Sequence, residues 1–112
     1  MAIDVKNYRS SRGAAVNIVS TEELHMVLEF FEKKGFRWSN GRLPTSAEEV
    51  IRYSYDEFGD GLGISFYDAD DESQFLSYCD IGYYRYREYD IFSTEELLGS
   101  ETPKMEDITT LF

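Results

Sequence analysis

The chain is poor in the residues on which most site chemistry depends. It holds one cysteine, Cys79, and one histidine, His25, among 112 residues. A single thiol excludes an internal disulfide and fits a reducing compartment, so a cytoplasmic location is expected. A Cys–His nucleophilic pair would need these two residues to meet through tertiary placement alone. No apolar run approaches the roughly 18–20 residues of a membrane-spanning helix. The segment Met1–Gly13 likewise lacks the apolar stretch of a secretory signal. Positive charge is scarce as well. Eleven Lys and Arg stand against 22 Asp and Glu, for a net charge of −11 and a pI of 4.4. That balance excludes an ordinary DNA-, RNA- or anionic-membrane-binding module, which neutralises phosphates with clustered bases.

Apolar and aromatic side chains are plentiful, at 42% and 16% of the residues. This is enough to bury a core in spite of the charge, and the length suits one domain with no second core. The charge is unevenly spread. Residues 1–42 carry seven bases and five acids, whereas residues 43–112 carry four bases and seventeen acids. Between 53 and 84 there is no base, and there are eight acids: Asp56, Glu57, Asp60, Asp68, Asp70, Asp71, Glu72 and Asp80.

The pattern along the chain predicts three regions: a mobile basic arm over 1–13, one domain over 14–98 and a flexible acidic tail over 99–112. Ala14–Val19 is short and apolar, a buried strand. Ser20 followed by Glu23 is a capping box. Leu24, Val27, Leu28 and Phe31 then trace one face of a helix that stops at Lys33, Lys34 and Gly35. Phe36-Arg37-Trp38 alternates as a returning strand, closed by the turn Ser39-Asn40-Gly41. Thr45 and Ser46 precede Glu48 and Glu49 by three residues, a second capping signal. The adjoining residues fit both a helix from Ser46 to about Arg52 and a strand over Val50–Tyr55. Leu62–Tyr67 and Gln74–Cys79 form a hairpin across the acidic turn Asp68–Ser73. Near the end, Ser93-Thr94-Glu95-Glu96-Leu97 repeats Ser20-Thr21-Glu22-Glu23-Leu24, each copy following an apolar pair. Such repetition is what strand-to-helix junctions select. The order predicts an α+β fold: a single two-layer domain, its small, mostly antiparallel sheet covered on one face by two or three helices.

Several constellations resemble sites, and their spacing argues against them. Asp68, Asp70 and Glu72 occupy calcium-loop positions, but Ser73 stands where glycine is required and Cys79 where a bidentate glutamate belongs. Gly59-x-Gly61-x-Gly63 has no Lys-Ser/Thr after it and lies among acids, which disfavours phosphate. No catalytic residue, metal site or cofactor is assigned. Tyr83-Tyr84-Arg85-Tyr86-Arg87 interleaves aromatics with arginine, as a strand or turn, and reads either as core edge or as a protein-contact patch. Trp38 carries the same two readings.

The capped helix leading into Gly35-Phe36-Arg37-Trp38-Ser39-Asn40-Gly41, with the closing Tyr89-Asp90-Ile91-Phe92-Ser93-Thr94-Glu95-Glu96-Leu97-Leu98, resembles a pattern of small accessory proteins of bacteriophages and prophages. That pool includes anti-defence factors such as anti-CRISPR proteins, and the resemblance implies a host-cell cytoplasmic location. The acidic stretch 53–84 departs from the general pattern and favours the inhibitor class. The expectation is a non-enzymatic inhibitor without a cofactor. Its acidic face (Asp56, Glu57, Asp60, Asp68, Asp70, Asp71, Glu72, Asp80) would occupy the basic nucleic-acid groove of a host protein, such as a CRISPR effector nuclease. Tyr83, Tyr84 and Tyr86 would be its aromatic anchors. No direct contact with nucleic acid or membrane is expected. The alternatives are a nucleotide- or other small-molecule-binding protein using Arg37, Trp38, Arg52, Arg85 and Arg87, and a structural accessory that forms homo-oligomers through the tyrosine-rich segment.

Overall fold

Small residues facing one side of two central strands set the architecture. The computed structural model describes residues 3–99. Among them the strands are β1 (Gly13–Ile18), β2 (Leu62–Asp68), β3 (Ser77–Asp80) and β4 (Asp90–Ser93), and the α-helices are α1 (Thr21–Lys33), α2 (Glu48–Tyr53), α3 (Ile81–Tyr86) and α4 (Thr94–Leu98). They form one α+β domain. The sheet order is β3-β2-β1-β4, with β2 antiparallel to both β1 and β3 and β4 parallel to β1. Among the described residues no helix is long and apolar enough to cross a membrane.

Helix α1 forms as its pattern dictates. The Ser20 hydroxyl accepts from the Glu23 N–H at 3.2 Å, and Gly35 takes a positive φ of 88° beyond the last turn. Leu24, Val27, Leu28 and Phe31 are fully buried against Val16, Ile18, Ile64 and Phe66 of the sheet. The same cluster takes Ile51 from α2 and Leu97 and Leu98 from α4, so three helices cover this face. Each fully buried aliphatic or Phe side chain contributes about 1.5–3 kcal/mol to the layer.

The opposite face is lined by Gly13, Ala15, Gly63 and Ser65, and α3 lies directly on it. A Cβ on Gly63 would come within 2.7 Å of Ile81 and 2.8 Å of Tyr84, and one on Gly13 within 2.6 Å of Tyr89. Ala15, Ile81, Tyr84 and Tyr89 make a second buried cluster there. With β1 and β2 covered on both sides, their residues are buried almost throughout rather than alternately. Helix α3 thus carries the chain from edge strand β3 over this face to β4 on the far edge, a second helical layer that the expected single one did not include.

There are three other local differences. Phe36-Arg37-Trp38 keeps the expected alternation, with Phe36 and Trp38 buried, but makes one bridge, Trp38 to Leu76, instead of a strand. The following turn takes the Trp38 backbone: its N–H donates to the Arg42 carbonyl at 3.0 Å and its carbonyl accepts from the Gly41 N–H at 2.8 Å. The segment 50–56 is helical but in two pieces: α2 ends at Tyr53, after a 3₁₀ turn over Pro44–Ala47, and a second 3₁₀ turn follows over Tyr55–Glu57. No side chain caps α2, because its N-cap position falls on Ala47; the Thr45 and Ser46 hydroxyls donate instead to Glu32 and to the Leu43 carbonyl, each at 2.6 Å. The stretch read as a free basic arm is docked. Val5 is buried, Tyr8 packs edge-on to Phe66 and Phe92, and Gln74 donates to the Lys6 carbonyl. The expected acidic tail lies, beyond Gly99, outside the described residues.

Candidate functional site

The acidic stretch 53–84 is continuous in sequence but divided in space. Strand β2 runs between its two halves, and seven extended residues at about 3.3 Å each separate them by roughly 20 Å. Asp56 and Glu57 lie in a 3₁₀ turn after α2, and Asp60 lies in the turn entering β2. Asp80 joins this end through the pairing of Leu62 with Asp80. At the other end, Asp68, Asp70, Asp71 and Glu72 form the tip of the β2–β3 hairpin, closed by the Asp68–Ser73 bridge.

The eight carboxylates differ in what they are free to do. Asp80 caps α3: its two oxygens accept from the Gly82 N–H at 2.8 Å and the Asp60 N–H at 3.1 Å. Those bonds favour the ionised form and hold its pKa below the usual carboxylate range, with the Gly82 bond the largest cause. Asp68 accepts from the Asp70 N–H at 2.9 Å, which shapes the hairpin tip. Asp70 pairs with Arg87 at 3.0 Å. These three carboxylates are partly spent on structure. Asp56, Glu57, Asp60, Asp71 and Glu72 are exposed, and among the described residues their side chains make no hydrogen bond or ion pair.

The three tyrosines separate too. The segment folds as helix α3 rather than a strand or turn, because Asp80 supplies a cap and Ile81 and Tyr84 fall three apart on the face toward the sheet. Tyr84 is therefore corrected as an anchor. It is buried, its hydroxyl 3.1 Å from the Ser77 hydroxyl, and burial pushes its pKa up. Tyr83 is half-exposed and carries the Arg87 guanidinium, which also reaches Asp70. Tyr86 is 86% exposed.

Comparison of the chain with family models, curated proteins and solved structures returns no match. The geometry alone therefore carries the reading. Among the described residues no group of three His, Cys, Asp or Glu side chains is placed to hold a metal ion. His25 rides on α1 while Cys79 packs into the cluster on the opposite face of the sheet, so they do not meet. The residues proposed for a small ligand are not brought together either. Trp38 is a core residue whose indole N–H donates to the Pro44 carbonyl at 3.1 Å. Arg37, Trp38 and Arg52 line three different concavities, and Arg87 is held by Asp70.

Two features escaped the sequence reading. His25 is the centre of a charge chain between α1 and α2. Its Nδ1 lies 2.8 Å from Glu48 and its Nε2 3.2 Å from Glu29, while Arg52 holds the other Glu48 oxygen at 2.6 Å. The Glu48 bond raises the His25 pKa. Its sequence signal was the i,i+4 spacing of His25 and Glu29 and of Glu48 and Arg52. The second feature is an exposed apolar ridge on α2, where Val50 is 63% and Tyr53 87% exposed.

Proposed function

We propose that the chain is a non-enzymatic inhibitor whose acidic surface occupies a basic nucleic-acid groove on a host protein, of the kind found in defence nucleases such as CRISPR effectors. The observation that carries this reading is the placement of unpaired carboxylates on hydrogen-bonded turns at both ends of β2. A groove spanning roughly 20 Å of duplex meets about six phosphates on one strand. Carboxylates held at the two ends of such a span present the groove with the charge it is built to receive. Preset turns reduce the ordering cost of binding, and the net charge of −11 steers a basic partner inward. The tie from Asp70 through Arg87 to Tyr83 stiffens the hairpin tip that would present Asp71 and Glu72.

The test is a cleavage assay with RNA-guided defence nucleases, run with and without the protein, alongside binding at low and high salt. Inhibition that competes with nucleic acid and weakens steeply with salt supports the reading. A variant with Asp56, Glu57, Asp60, Asp71 and Glu72 all changed to lysine that inhibits as well as the parent overturns it.

A further inference from the structure

Resting on that reading, we infer that the α2 end of the molecule is the principal contact surface, and that it receives a cationic segment of the partner carrying one apolar side chain. Val50 is the ridge between two concavities of about 720 Å³ and 530 Å³. The larger is lined by Tyr53, Glu49 and Glu57, and Asp56 adjoins it in the following turn. Arg52 shares this wall, but its guanidinium is engaged by Glu48, which leaves the carboxylates in excess. The smaller concavity has Arg42 and no carboxylate, and its floor is Leu76 and Tyr78 at the edge of the sheet. Tyr78 is braced there by edge-on contacts with Trp38 and Phe58.

The charge pattern sets the orientation of the occupant. Its lysines or arginines belong on the Tyr53 side, against Glu49, Asp56 and Glu57, and its apolar residue lies over Val50 toward Tyr78. An exposed tyrosine beside a valine, ringed by carboxylates, joins a large apolar contact to charge selection in one place. Tyr83 and Tyr86 lack this combination: Tyr83 already carries Arg87, and Tyr86 lines none of these concavities.

Edge strand β3 extends the surface. Leu76 donates its N–H outward to the Arg37 carbonyl at 2.9 Å. Alternation along a strand turns the Tyr78 backbone groups to the same side two residues later, past the point where the Trp38 segment leaves the edge. An extended occupant can therefore add backbone hydrogen bonds at Tyr78 while its side chains reach α2.

The experiment uses the full chain and a fluorescent synthetic peptide with a leucine flanked by arginines, with binding read by anisotropy at low salt. Binding is expected to fall about tenfold with Tyr53→Ala or Glu57→Lys, and with a peptide whose leucine is serine. It is expected to change less than about twofold with Asp71→Lys and Glu72→Lys at the hairpin tip. All of these positions are exposed, and circular dichroism verifies that each variant is folded. If Tyr53→Ala and Glu57→Lys bind as the parent does while the hairpin variants lose binding, this inference is overturned and the acidic-surface reading stands. If the parent protein does not bind the peptide, the inference falls; the nuclease inhibition assay then decides the broader reading separately.

Discussion

The Thr94 hydroxyl donates to the Glu23 carboxylate at 2.8 Å, across 71 positions of sequence. The bond joins the two Ser-Thr-Glu-Glu-Leu segments. Strands β1 and β4 are parallel neighbours, with Asn17 opposite Ser93, so their helix-starting caps emerge side by side. The caps are not equivalent. Ser93 and Glu96 complete a reciprocal box, whereas Glu23 reaches past its own cap to the Val19 N–H and across to Thr94.

Thr94 is buried, so Thr94→Val leaves a half-buried carboxylate short of one donor. A loss of about 1–3 kcal/mol in urea unfolding is expected. A double-mutant cycle with Glu23→Gln should show coupling of at least about 0.5 kcal/mol. Additive effects would mean that the contact contributes nothing to joining the junctions.

Gly63→Ala tests the close approach of α3. The new methyl meets the Ile81 and Tyr84 side chains well inside contact distance, and one or both must move. The expected cost is about 1–3 kcal/mol, read from the thermal midpoint. Ile81→Ala in the same chain relieves part of the clash, so the double variant should lose less than the two single costs added together. Full additivity would place the strain elsewhere.

His25 makes stability depend on pH near neutrality. Its pKa is raised in the folded protein, chiefly by the Glu48 bond. The stabilisation is therefore complete below the unfolded value of about 6.5 and is lost as pH rises through the higher folded value. Unfolding free energy should decline across that window, and His25→Gln should flatten the decline. A His25 titration midpoint by NMR at or below 6.5 would contradict the Glu48 tie.

Asp80 has the opposite sign. Its folded pKa is lowered, chiefly by the Gly82 N–H, so its contribution is present above the ordinary value of about 3.9 and fades as pH falls through the lower folded one. Asp80→Ala should lower the thermal midpoint at neutral pH and narrow its gap from the parent in strong acid. Equal midpoints at neutral pH would remove the capping role.

Much of the fold is written locally. Ser20, the Leu24–Phe31 stripe and Gly35 determine α1, because capping and 3.6-residue periodicity act within a few turns. The acidic turns and the final strand-to-helix step were legible for the same reason. The fate of Tyr83–Tyr89 was not. The helical form of its first part, Tyr83 to Tyr86, depends on the Asp80 cap and on the small-residue floor of Gly63 and Ala15, and that floor exists only once β1 and β2 are paired.

For the candidate site, the sequence by itself determined how much negative charge there is and that it falls on turns. Only the tertiary structure decided that β2 divides it, that Asp68, Asp70 and Asp80 are partly engaged at home, and that Tyr84 is interior. It also placed Val50 and Tyr53 on an uncovered ridge beside Asp56 and Glu57. Charge and turn propensity belong to residues and short segments. Which carboxylate finds a donor, and which aromatic ring is covered, depends on neighbours far away in the chain.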